Sequence, residues 1–271
     1  METSRPFDTL ARRGGRFVAS ARELAAETAV AISFNGSSHA VLMATPADLE
    51  DLARGFALSE GIAASLAEIE AIAIVEGDRG VDAQVRLTAD AAEALAKRRR
   101  VMAGPVGCGM CGLESIEAAM RTLRSVSAPV RLSARDIADA AAAMTAAQTL
   151  NRRTHAVHAA GWFVAGEGLV SIREDVGRHN ALDKLTGALA LAGRHAGDGA
   201  FVVSSRLSIE LVQKAAVAGC GVLIAVSAPT ALAVETAERA NITLVAVARD
   251  SEFEIFTHPQ RIEQGALSRV A

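Results

Sequence analysis

Two cysteines three positions apart in a glycine-rich stretch, Gly104-Pro105-Val106-Gly107-Cys108-Gly109-Met110-Cys111-Gly112, are the residues of this chain best suited to chemistry. Cysteine occurs 3 times in 271 residues, so a close pair is a poor accident of packing. Neither a helix nor a strand interior needs this much glycine, which predicts a reachable loop carrying two thiols. A cysteine reacts as its thiolate, and nearby positive charge or a helix N-terminus lowers its pKa. Lys97-Arg98-Arg99-Arg100 runs into the loop, and helical spacing resumes over Leu113–Leu123. Several readings stay open. A thiolate can attack an incoming persulfide and keep its outer sulfur. Cys-x-x-Cys is also half of a four-ligand zinc site, whose other half is missing here unless a second copy supplies it. Two buried thiols in a tight turn are the structural alternative. A thioredoxin-like dithiol lacks its context, a first strand just ahead of the motif.

A second concentration of reactive side chains is Arg173-Glu174-Asp175-Val176-Gly177-Arg178-His179-Asn180-Ala181-Leu182-Asp183-Lys184. It reads as a strand end, a turn at Gly177 and a helix whose core face is Leu182, Leu185 and Leu189. Loops at strand C-terminal ends are where α/β folds hold ligands, which makes His179 a candidate cofactor contact. The alternative is a solvated, salt-bridged helix cap. Ser204-Ser205-Arg206-Leu207-Ser208 is a third candidate, with hydroxyls and an arginine at a helix N-terminus suited to an anion. A simple Ser208 N-cap explains part of it. His155 and His158 are read on one strand and therefore on opposite faces, which excludes joint metal ligation. Of the two, His158 faces the edge that carries the acidic segment. Cys220, between glycines ahead of an apolar strand, reads as packing. No resident metal site is expected.

These segments need elements to position them. An apolar fraction of 51 % supports a sizeable core, and a net charge of −3 argues against nucleic-acid binding. No secretory signal or bilayer-spanning run is visible, and three cysteines make no disulfide framework, so a cytoplasmic protein is expected. Asn35-Gly36 predicts a hairpin between Thr28–Phe34 and Ser38–Met43. Thr45 is expected to cap a helix through Pro46 and Asp48 that ends at Gly61. A second hairpin, Ala71–Glu76 with Val81–Leu87, precedes an alanine-rich helix. Ser133-Ala134-Arg135-Asp136 is a capping box opening a helix to about Leu150. Strands are expected at His155–Val164 and Gly168–Ile172. The pattern then alternates: helix 181–191, strand 200–203, helix 209–218, strand 221–226, helix 231–240 and strand 242–248. The fold class is α/β: a mostly parallel sheet with helices on both faces over 129–271, and a smaller α+β region over 1–128 carrying the thiol loop at 101–112.

With those residues in view, the chain resembles the FdhD family of formate dehydrogenase accessory sulfurtransferases. The matching stretches are Asp51–Ile62, Cys108–Gly112, Glu174–Lys184, Ser204–Arg206 and Thr257–Arg261, in order over nearly the whole chain. The resemblance implies a sulfurtransferase that receives sulfur as a persulfide from a cysteine desulfurase. It implies transfer to the molybdenum or tungsten of bis(molybdopterin guanine dinucleotide), which formate dehydrogenase requires. By the same resemblance, Cys108 bears the persulfide, Cys111 assists, and the C-terminal fold is cytidine-deaminase-like in a homodimer. The guanine-nucleotide end is expected at Val247, Ala248, Arg249, Asp250, Ser251 and Glu252, where Arg249 can meet phosphate bidentately. Ser204, Ser205, Arg206 and His179 are the further cofactor contacts. Deaminase chemistry is not expected, because it needs His-x-Glu and Ala181 stands two positions after His179. A cofactor-binding chaperone without transfer chemistry, and a zinc-stabilised dimeric interaction protein, are the alternatives.

Overall fold

The Asn35-Gly36 pair turns as its residues require, both at positive φ (47° and 80°), and joins β3 (Thr28–Phe34) antiparallel to β4 (Ser37–Ala44). The computed structural model describes residues 1–102, 123–249 and 251–263. β6 (Gly80–Leu87) lies parallel to β3 and antiparallel to β5 (Ile69–Gly77), giving the order β4-β3-β6-β5. Helices α1 (Leu49–Ser59) and α2 (Ala89–Met102) close one face, Leu52 and Phe56 of α1 and Leu95 of α2 joining Val30, Ile32, Phe34 and Val85 of the strands in one core. Gly61 takes the left-handed turn expected of a helix stop, at φ 64°. Thr45 does not cap α1, contrary to its sequence position. Asp48 stands at the N-cap in a left-handed conformation, and Thr45 is bonded elsewhere, as described below.

Residues 4–25 form a ribbon for which no element is expected from the sequence. β1 (Ser4–Arg13) pairs with β2 (Arg16–Ala25) along ten residues each, turning at Gly14-Gly15. Neither face covers a core, so the usual apolar-in, polar-out alternation has nothing to encode.

The C-terminal part begins at β7 (Leu132–Ser133), which pairs with β14 (Ile262–Glu263). The predicted capping box then opens α3 (Ala134–Ala147), Asp136 N donating to Ser133 Oγ at 3.1 Å. The expected single helix to Leu150 is broken at Gln148. A separate α4 (Thr149–Thr154) follows, its first N–H groups donating to the Glu174 carboxylate from Leu150 and Asn151, each at 2.8 Å. His155 ends α4 at φ 55°, so it is not on a strand, and β8 starts only at His158 (His158–Val164).

A six-stranded sheet follows from β8, β9 (Gly168–Asp175), β10 (Ala200–Val203), β11 (Val222–Ala225), β12 (Thr243–Arg249) and β13 (Glu252–Thr257), in the order β13-β12-β11-β10-β8-β9. The expectation of a mostly parallel sheet is corrected. Parallel pairing is confined to β10-β11-β12, and the hairpins β8-β9 and β12-β13 make both margins antiparallel. Alternate strand residues serve the two faces. Trp162, Phe201, Leu223 and Leu244 meet α5 (Arg178–Leu191), α6 (Ile209–Val217) and α7 (Ala231–Arg239). Phe163, Val202, Ile224 and Val245 meet α3.

The two parts are clamped where α1 crosses α5. A Cβ on Gly55 would stand 1.7 Å from the Asp183 carbonyl oxygen, and one on Gly187 would stand 2.1 Å from that of Asp51. No other residue allows the backbones this close.

Candidate functional site

The C-terminal ends of β10, β11 and β12 and the start of β8 share one edge of the six-stranded sheet. Ser204 N donates to Ala159 O, Val226 N to Val203 O, and Leu207 N to Ala228 O, which stitches the loops of that edge together. The dense charge of residues 173–184 resolves there into two different tasks.

Most of that charge is structural. Asp175 and Lys184, both fully buried, pair at 2.6 Å. Asp175 also accepts from Thr45 N (3.0 Å), Gly177 N (2.7 Å) and Asn180 Nδ2 (3.0 Å). Lys184 Nζ donates to Thr45 O at 2.9 Å, and Val176 N donates to Thr45 Oγ1 at 3.1 Å. Thr45 therefore serves the latch between the two parts. Arg173 crosses to Asp51 at 2.8 Å, and Arg54 holds the other oxygen of Asp51 at 2.8 Å. Glu174 caps α4. The alternative of a solvated helix cap fails for Asp175 and Lys184, which are fully buried, and for Arg173, whose partner Asp51 lies on α1.

A third buried network was missed in the sequence. Lys214 Nζ donates to both Asp183 carboxylate oxygens (2.9 and 3.0 Å), to Ser59 Oγ (2.9 Å) and to Glu60 Oε1 (2.8 Å). Burial alone would lower the Lys214 pKa, but the carboxylates of Asp183 and Glu60 outweigh it and raise it. Burial pushes the Asp183 carboxyl up, against the pull of Lys214 and Ser59. The signal was available: in Ile209–Val217, Lys214 falls three residues after Leu211 and one before Ala215, on the helix's buried side. Such a lysine demands an acidic partner.

Arg178 and His179 remain beyond these latches. His179 Nε2 stands 2.9 Å from Glu210 Oε2, close enough for electrostatic attraction, although the ring N–H is not aimed for a hydrogen bond. Nε of Arg178 is also buried without a hydrogen-bond partner among the described residues. Burial lowers the His179 pKa first, Arg178 and Lys214 lower it further, and Glu210 offsets them only in part. His158 is lowered by burial, then by Arg178 and His179. His158, Arg178 and His179 are thus near neighbours, with both imidazoles held neutral at pH 7, able to accept a proton or a hydrogen bond.

The other predicted residues flank this cluster. Ser204 Oγ accepts from Ala159 N at 2.9 Å and Ser205 Oγ donates to Arg206 O at 3.0 Å, so both hydroxyls are used within the chain. Arg206 is exposed. Arg249 is exposed at the end of β12, its Nε 3.3 Å from Val226 O. Val247 has φ 55°, strained for a β-branched residue, where the β12–β13 register shifts between Ala246 and Arg249. Ala248 is buried, and Ser251 and Glu252 are exposed. Cys108, Cys111 and Asp250 lie outside the described residues, as does nearly all of the helix expected at Leu113–Leu123. The chain leading to the thiols is described: Arg98 on α2 donates to Glu60 O at 2.9 Å, beside the Lys214 network. Cys220 is wholly buried, its thiol pushed up to about 12 by burial, and is packing as expected. Thr257 and Arg261 tie the chain end to the sheet, Thr257 Oγ1 donating to Ile242 O (2.7 Å) and Arg261 to Thr243 Oγ1 (3.3 Å).

Fold and site together define an α/β protein with an accessory α+β part, latched by buried ion pairs beside a basic, histidine-bearing sheet edge. Residues 25–263 match the model of the FdhD/NarQ family. The chain belongs to that family. It is 55 % identical over 253 residues to the sulfur carrier protein FdhD of Agrobacterium fabrum, covering 93 % of each chain. It is 52 % identical to that of Brucella abortus, over 96 % of this chain and 97 % of the relative. The crystal structure of a putative formate dehydrogenase accessory protein from Desulfotalea psychrophila superposes with a TM-score of 0.77 at 26 % identity, covering 97 % of this chain and all of the other. No helix among the described residues is long and apolar enough to cross a membrane.

Proposed function

We propose that this protein carries sulfur, as its relatives' names state, between a cysteine desulfurase and the cofactor of formate dehydrogenase. The observation that supports this most is the placement of α2. It brings the chain to within six residues of Cys108 while Arg98 is bonded to Glu60. Glu60 is held by Lys214, one helical turn from the Glu210 that meets His179. The last described turns of α2 are thus linked through Glu60 and Lys214 to the helix that carries Glu210.

In the proposed reaction the Cys108 thiolate attacks the outer sulfur of the desulfurase persulfide. One S–S bond breaks, another forms, and the desulfurase thiolate leaves, with no net oxidation. The Cys111 thiolate then attacks Cys108 Sγ and the persulfide S–S bond breaks. Hydrosulfide leaves for the molybdenum or tungsten of the bis-guanine-dinucleotide cofactor, which is cargo here, and the Cys108–Cys111 disulfide left behind is reduced by a dithiol. The nucleotide end would be met by the exposed Arg249 and Arg206, with Val247, Ala248, Asp250, Ser251 and Glu252 shaping the loop and Ser204 and Ser205 fixing the neighbouring one. His179, neutral, would accept a hydrogen bond. The deaminase-like reading of the C-terminal part, the homodimer and the cytoplasmic setting belong to the same proposal.

Intact mass after incubation with cysteine desulfurase and cysteine tests it. A gain of one sulfur, removed by reductant and absent from Cys108→Ala, is expected. An unchanged mass with cofactor still bound would leave a chaperone without transfer chemistry. Stoichiometric zinc held by the thiols would favour the interaction protein instead.

A further inference from the structure

The β1–β2 ribbon has ten-residue strands and is tethered mainly at its base, where Arg153 of α4 bridges to Glu23 at 3.1 Å. Its register places Arg5, Phe7, Arg13, Arg16, Val18 and Arg22 on one face. Arg13 and Arg16 stand directly opposite each other, a like-charge cross-strand pair that destabilises the ribbon by itself. None of these arginines has a carboxylate partner among the described residues, and Phe7 is 47 % exposed. An uncovered two-stranded ribbon is marginal in water, and its open edges invite pairing.

The complementary surface is on the same chain, at the far margin of the six-stranded sheet. β13 is the outermost strand, and its Glu252, Glu254 and Phe256 are exposed while Phe253 and Ile255 lean on the α3 side. Neither glutamate makes an ion pair among the described residues, although Arg249 stands opposite Glu252 in the β12–β13 register. Of the other acidic outer strands, β9 has Glu174 and Asp175 already engaged, and β5 has Glu70 paired with Arg86 at 3.0 Å, which leaves it Glu76 alone.

We infer that the ribbon of one copy docks on the β12–β13 margin of a second copy, its arginines meeting Glu252 and Glu254 and Phe7 meeting Phe256. The inference rests on the dimer within the function proposed above. Strands of this length run about 33 Å, and two side by side present a face about 10 Å wide. β13 matches only about 20 Å of that length, six residues against ten, so two reciprocal contacts bury about 800 Å² counting both sides, the size of a weak, salt-sensitive interface. The docked arginines would lie beside Val247 and Ser251, so the second copy would complete the anion-binding edge.

Sedimentation across a salt series tests this with wild type, Arg13→Glu/Arg16→Glu, Glu252→Arg/Glu254→Arg, and all four changes in one chain, circular dichroism checking the fold. Each reversal should weaken the dimer at least tenfold, and the combination should restore it to within about threefold of wild type. A dimer indifferent to either reversal, or not restored by the combination, overturns the inference while leaving the dimer standing. A monomeric wild type overturns both, and its persulfide loading then decides the sulfur reading separately. If ribbon reversal spares the dimer but abolishes binding to purified cysteine desulfurase, the ribbon serves that partner and the inference fails.

Discussion

Replacing Lys184 with methionine tests the latch on which the site geometry depends. The substitution keeps most of the side-chain volume and removes the charge facing Asp175, 2.6 Å away and, like Lys184, fully buried. Asp175 then keeps three neutral donors, Thr45 N, Gly177 N and Asn180 Nδ2, and Thr45 O loses the ammonium. Removing one partner of a buried pair costs about 3–5 kcal/mol, because the other charge stays desolvated. Folded proteins have about 5–15 kcal/mol in all, so Lys184→Met should consume about a fifth or more of the stability. With a urea dependence of about 3 kcal/mol per molar, the unfolding midpoint should fall by about 1–1.7 M. Asp175→Asn and the double variant complete a cycle whose coupling should reach about 1.5–3 kcal/mol. Asn180 donates to both Asp175 and Met43 O, so loosening should spread to β4 and raise amide exchange there. A midpoint shift below about 0.3 M, or additive single variants, would show that the pair is not the latch described.

Gly55→Ala should destabilise although alanine is the better helix former by about 1 kcal/mol. Its Cβ would meet backbone at 1.7 Å, so α1 and α5 must separate, at about 2 kcal/mol or more net; a variant more stable in urea contradicts the close crossing. Because His158 and His179 are both lowered from 6.5, the unfolded chain binds more protons just below that pH. Stability should be full above about pH 6.5 and decline as pH falls through the lowered values; melting curves of His158→Gln/His179→Gln should lose that slope, and an unchanged profile would refute it. Lys214 works the other way, its contribution being full below 10.5 and lost as pH rises through the raised value, so Lys214→Met should flatten the alkaline limb of the same curve. Arg249→Ala should weaken GDP binding in calorimetry by about 1.5–3 kcal/mol, and equal affinity would move the phosphate contact to Arg206.

Local chemistry determined much of this protein from its sequence. The Asn35-Gly36 turn, the Ser133 capping box, the Gly61 stop and the alternation of short apolar strands with helices from Ala181 onward depend on neighbours within a few residues. The structure forms all of them. Buried Cys220 was legible for the same reason; the thiol pair stands out by residue type and spacing and lies outside the described residues. The β1–β2 ribbon was not legible, because a ribbon with no core beneath it carries no burial pattern. The break at Gln148 was hidden because the carboxylate that receives the α4 amides, Glu174, stands 23 residues beyond Asn151. Only the tertiary structure decided what the charged block means. Its residues look alike in sequence, and burial separates them: Asp175, Asp183 and Lys184 are sealed against Thr45, Ser59 and Lys214, leaving Arg178 and His179 at the edge. Stretches far apart in the chain, Asp51–Ile62 and Glu174–Lys184, are halves of one junction, because two glycines let α1 and α5 touch. A desolvated charge is stable only beside its partner, and the fold alone brings those partners together.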